Sequence, residues 1–156
     1  MSAHVEEIRL SLGHIELAAH LFGPEDGLPV IALHGWLDNA NSFARLAPQL
    51  KGLRIVALDL AGHGYSEHRP PGAGYALADY AHDVLRVAEQ LGWQRFALLG
   101  HSLGAIISVQ LAGALPDRVS HLALIDGVIP PTGAEQDAGK RLGMALQAQV
   151  RLDGNR

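Results

Sequence analysis

An α/β fold built on a mostly parallel sheet is what this sequence predicts, and three observations carry it. The runs Val30 to Leu33, Leu53 to Leu60, Phe96 to Leu99 and Ser120 to Asp126 are largely apolar, as expected of parallel strands covered on both faces by helices. Segments with helical spacing lie between them, at about Ser42 to Leu50, Ala78 to Leu91 and Leu103 to Leu115. Strand therefore alternates with helix, which favours right-handed crossovers and places the ligand crevice at the carboxyl ends of the strands.

Each element has its own signals. Val5 to Leu10 and His14 to Leu21 are short runs parted by Gly13. The second ends in Gly23-Pro24-Glu25-Asp26-Gly27, so the two read as a hairpin ahead of the first parallel strand. Gly92 stops the second predicted helix and Pro116 the third. Gly62 to Gly74, with two prolines and four glycines, reads as a long loop over the crevice. After Asp126 the pattern breaks at Pro130, Pro131 and Gly133, and Glu135 to Val150 offers one more helix. The chain reads as one partial domain, 1–126 forming the core and 127–156 the start of a lid or C-terminal region.

Composition narrows the function classes. With 156 residues, 48% apolar and 18% charged, the chain can build one sizeable core. The net charge of −4 comes without a basic run, so nucleic acid and anionic membrane surfaces are not expected partners. Absence of cysteine excludes disulfides, thiolate metal sites and a cysteine nucleophile. No apolar stretch suits a signal peptide or a membrane span, which makes the cytoplasm the expected location.

Chemistry concentrates at Gly100-His101-Ser102-Leu103-Gly104, a G-x-S-x-G sequence. With 18 Gly and 7 Ser in the chain, one chance match has a probability of about 0.1, so context decides. Here the motif follows an apolar run and opens a helical one, the setting in which a sharp strand-to-helix turn exposes a serine oxygen. A helix N-terminus also favours negative charge developing nearby. The competing reading is an ordinary serine helix cap. His34-Gly35-Trp36 follows an earlier strand at the same sheet end, and Asp59-Leu60-Ala61-Gly62-His63-Gly64-Tyr65-Ser66 follows the next.

These three motifs, in this order, resemble those of the α/β-hydrolases, and His34 to Phe43 looks most like the serine hydrolase-like branch. The resemblance covers the chain up to about Asp126 and implies an α/β-hydrolase-type sheet stopping after about its sixth strand. It makes Ser102 the nucleophile and gives the oxyanion hole the backbone amides of Trp36 and Leu103, with His34, Gly35 and His101 around the binding site. The Asp59 to Ser66 segment is expected to hold a turn together. No metal or organic cofactor is implied.

One part is missing. A serine hydroxyl needs an imidazole to take its proton, and in this family the acid and the histidine follow the serine. His121 is the sole later histidine and belongs to the start of a strand, roughly 16 Å from the carboxyl end at about 3.3 Å per residue. His34 could reach the serine but more readily braces the oxyanion turn. Asp126 is a candidate acid and equally a structural or pocket residue.

The expected function is a serine hydrolase acting on a small ester-like molecule through an acyl-enzyme, in a form lacking its histidine. Dehalogenase and epoxide hydrolase branches carry an aspartate where Ser102 stands. The alternative is a non-catalytic ligand-binding or interaction protein on the same fold. An open edge at Ala123-Leu124-Ile125 offers a surface for self-association.

Overall fold

The computed structural model describes residues 5–125. Strands β1 (Glu6–Ser11) and β2 (Glu16–Phe22) form the expected antiparallel hairpin, and β2 pairs antiparallel with β4 (Leu53–Leu58). Strand β3 (Leu28–Leu33) lies parallel between β4 and β5 (Phe96–His101), and β6 (Val119–Ile125) is parallel to β5. The six-stranded order is β1-β2-β4-β3-β5-β6. Because β3 to β6 all run one way, the segments that follow β3, β4 and β5 emerge at the same sheet end.

Alternation divides the core. Ile31, Leu33, Val56 and Leu58 point to one face, where they join Tyr80, Val84 and Val87 of α1 (Leu77–Gln90) and Ile107 and Leu111 of α2 (Leu103–Ala114). Val30, Ala32, Ile55 and Ala57 point to the other and meet Ala40, Phe43 and Ala47. The predicted helix at Ser42 to Leu50 is not there: two short 3₁₀ turns, Ala40–Phe43 and Ala47–Gln49, cover this face instead. The cause is local. Asn39 accepts the Asn41 amide through its side chain and Ser42 Oγ donates to the Asn39 carbonyl, so side chains compete with a helical ladder. Pro48 then removes a donor.

The other boundaries follow the sequence more closely. Helix α1 starts at Leu77, its first turn fastened by Asp79 Oδ2 accepting the Ala76 amide at 3.0 Å. Strand β4 ends at Leu58 and leaves Asp59 and Leu60 to the turn beyond. The irregular loop from Gly62 to Gly74 is pinned back to α1 by the Arg69 guanidinium, which pairs with Asp83 at 2.7 Å, while the Arg69 amide donates to Tyr75 Oη at 2.7 Å just ahead of the helix. Among the described residues β6 pairs on one side only, with β5, and none of the helices is long and apolar enough to cross a membrane. Asp126 and the predicted helix at Glu135 to Val150 lie outside the described residues.

Candidate active site

Ser102 joins β5 directly to α2 and occupies the helix N-cap with φ 55° and ψ −114°, a conformation that L-residues rarely adopt. Its side chain makes no capping hydrogen bond. That separates it from an ordinary serine cap, whose oxygen would accept an amide of the first turn. The hydroxyl is left at the sheet's carboxyl end, half-buried, with no partner among the described residues.

The flanking glycines are there for closeness. A Cβ on Gly100 would stand 2.5 Å from the Gly104 carbonyl oxygen and 2.7 Å from Ala105 Cα, and one on Gly104 would fall on the Leu33 carbonyl. The elbow and the end of β3 therefore touch through backbone. A hydrogen bond from the Gly104 amide to the His34 carbonyl, 3.1 Å, fixes the contact. Gly35 continues it: its Cβ position lies 3.1 Å from Ser102 Cβ and 3.2 Å from His101 Nδ1. Ser102, Gly35 and His101 are thus gathered in one place.

The first-turn amides of α2 can be accounted for one by one. Gly104 donates to His34, and Ala105 and Ile106 donate to the Ser102 carbonyl at 2.9 and 3.2 Å. The Leu103 amide has no acceptor among the described residues, and neither has that of Trp36. Two unengaged N–H groups flanking a serine at a helix N-terminus suit an anionic oxygen. Next to them the turn is tight: the Asp38 amide donates to the Gly35 carbonyl at 3.1 Å, and Leu37, 79% exposed, sits at φ 63°.

His34 holds this turn from beneath. It is fully buried; Nδ1 donates to the Gly35 carbonyl at 2.7 Å and Nε2 accepts the Leu60 amide at 3.0 Å, which fixes the neutral ring in one tautomer. With both nitrogens engaged by backbone, the ring has none left for Ser102. Burial holds its pKa below the ordinary 6.5, against the upward pull of the Gly35 hydrogen bond, and His63 adds to the lowering.

A stability consequence follows, with its sign. A histidine whose pKa falls on folding binds a proton more weakly folded than unfolded, so its contribution is complete above pH 6.5 and declines as pH falls from there toward the folded value. His34→Asn retains a donor near Nδ1 but cannot titrate. Urea unfolding of both proteins between pH 7.5 and pH 5 is expected to show a steeper acid loss for the parent than for the variant, and parallel slopes would contradict this placement of the proton.

Asp59 is the second brace. Its carboxylate, 3% exposed, accepts the Ala40 amide at 2.7 Å and the Tyr65 amide at 3.0 Å, while Ser66 Oγ donates to its carbonyl and accepts the Ala18 amide. It clasps the loop after β3 to the loop after β4, the turn-holding duty that the sequence suggested. His63 lies in that clasp, its ring 5.0 Å from that of His34 and 5.3 Å from that of Trp36. It follows β4, and β3 stands between β4 and the strand that carries Ser102. His121 is exposed on β6, where Leu122 aligns with Leu98, so it stands about five residues, roughly 16 Å, short of the elbow.

Residues 29–153 match the family model for the alpha/beta hydrolase fold. The chain belongs to the α/β-hydrolase fold family. It is 40% identical over 155 residues to a serine hydrolase-like protein of Dictyostelium discoideum, covering 97% of this chain and 43% of that one. A human serine hydrolase-like protein is 41% identical over 123 residues, covering 78% and 61%. The crystal structure of a hypothetical protein from Pseudomonas aeruginosa PAO1 is 71% identical, with a TM-score of 0.79 over 97% of this chain and 54% of that one. The chain spans about half the length of the relatives it matches.

Two features had no reading in the sequence. The strained Leu37 carries no local signal, because leucine is not a residue that turns select at positive φ. The tie between His14 and Asp83 joins residues 69 positions apart.

Proposed function

We propose that this α/β-hydrolase chain carries the nucleophile and oxyanion half of a serine hydrolase site for a small ester-like substrate. The observation that carries the reading is Ser102 itself, held in a strained elbow with its hydroxyl unused as a cap and flanked by the free amides of Trp36 and Leu103. Ser102 Oγ attacks the carbonyl carbon, the two amides stabilise the tetrahedral oxyanion, and loss of the alcohol leaves an acyl group on the serine. Water then releases the acid. The strain supports the reading, because it persists only where the surroundings enforce it.

The proton on Oγ needs a base; both nitrogens of His34 are engaged by backbone, and among the described residues no histidine hydrogen-bonds Ser102 Oγ, His101 beside it included. In the family that base and its acid follow the nucleophile in the chain. An oxyanion hole acting alone retains about 10³ to 10⁴ of rate over water. Hydrolysis of p-nitrophenyl acetate by the 156-residue chain is therefore expected to be slow, in that range, and dependent on Ser102. Rates of an efficient esterase would place a working base within the 156 residues and overturn this assignment. A rate unaffected by Ser102→Ala, together with saturable binding of an ester, would favour a ligand-binding protein instead.

A further inference from the structure

The geometry points to a binding site for one divalent transition cation, Zn²⁺ foremost, formed by His14, His82 and Asp83 where the β1–β2 turn meets helix α1. One ligand atom from each of the three lies within 4.8 Å of the other two. His14 Nε2 is 2.8 Å from Asp83 Oδ1, a hydrogen bond that needs to open only to about 3.4 Å for both atoms to share a tetrahedral metal at about 2.0 to 2.2 Å. The His14 and His82 rings are 5.4 Å apart between centroids, and both residues are exposed, so a small turn of the His82 side chain brings its nitrogen in.

Asp83 supplies the fixed point. It is 1% exposed, and Arg69 Nη2 grips Oδ2 at 2.7 Å, which holds Oδ1 towards His14. A carboxylate pinned by its other oxygen is the usual support for a metal ligand. Two imidazoles and one carboxylate suit a borderline cation such as Zn²⁺ better than Mg²⁺ or Ca²⁺, and the exposed side leaves room for water as a fourth ligand. Binding replaces the proton on His14 Nε2, which moves to Nδ1 or to solvent. The cationic neighbours set a limit: besides Arg69, Arg86 reaches the Leu12 carbonyl at 3.4 Å, so the affinity is modest.

The site is remote from Ser102. β2 and β5 are three strand spacings apart in the sheet, about 14 Å, so its cation would staple the hairpin to α1 and take no part in acyl transfer. This inference does not depend on the hydrolase reading.

The test is calorimetric titration of Zn²⁺ into the tag-free, chelator-treated chain, beside His14→Ala and His82→Ala, with thermal unfolding recorded for each with and without the metal. His82 is exposed and makes no hydrogen bond among the described residues, so His82→Ala is expected to leave the metal-free unfolding temperature close to that of the parent, whereas His14→Ala also removes the partner of buried Asp83 Oδ1 and its thermal response is read against its own metal-free temperature. The parent should bind one equivalent and unfold at a higher temperature, and each variant should lose at least about tenfold in affinity and the thermal response with it. No saturable binding by the parent, or undiminished affinity in either variant, overturns the three-ligand site.

Discussion

Replacing Ser102 with alanine is expected to abolish acylation of the chain while changing its stability by no more than about 0.5 kcal/mol. Ser102 Oγ makes no hydrogen bond that the fold uses, so alanine removes the proposed nucleophile and leaves packing intact. Glycine at the same place separates chemistry from strain. The backbone at φ 55°, ψ −114° lies in a region that costs a side-chain-bearing residue about 1 to 3 kcal/mol, against the roughly 0.5 to 1 kcal/mol of extra chain entropy that glycine loses on folding. The first effect is larger. Ser102→Gly should therefore be inert and more stable by about 1 kcal/mol. Urea denaturation of the three proteins reads both effects, and a glycine variant less stable than the serine parent would mean that the elbow carries no strain.

The largest structural effect belongs to Gly104. Helix propensity alone favours alanine there by about 1 kcal/mol. A methyl group at this position would fall on the Leu33 carbonyl oxygen, backbone against backbone, and neither side can yield without moving β3 or α2. Overpacking of that kind costs about 3 kcal/mol or more, so sterics win. Gly104→Ala is expected to be strongly destabilising and to displace the amide that holds the His34 carbonyl. Gly113, in the same helix with nothing within 4 Å of its Cβ position, is the control: alanine there should stabilise by about 0.5 kcal/mol. Thermal unfolding of the pair decides it, and equal shifts would show that propensity, not closeness, governs both sites.

What could be read in the sequence was what local pattern controls. The apolar runs at Val30 and Phe96 became strands because a strand buried on both faces has few polar positions, and Gly100 and Gly104 marked a turn too tight for side chains. The helix predicted at Ser42 to Leu50 failed because Asn39 and Ser42 bond their own backbone and Pro48 withdraws a donor, and these local bonds outweigh the apolar spacing. The braces were less legible. That Asp59 joins Ala40 to Tyr65, and that both nitrogens of His34 are committed, depends on which loops the sheet order brings together, and no spacing rule encodes it. Trp36 and Leu103 entered by resemblance to a family; their free amides came from counting the donors of one helix end and one turn.

The central claim is that Ser102 is the reactive group of this fold, and mass-spectrometric mapping of a fluorophosphonate adduct tests it most directly. A fluorophosphonate loses fluoride to an activated serine oxygen and leaves a stable phosphonyl ester in the oxyanion hole. The expected result is a single modified peptide containing Ser102, formed slowly in the 156-residue chain and absent from Ser102→Ala. An adduct on another residue, or one that persists in the alanine variant, would contradict it.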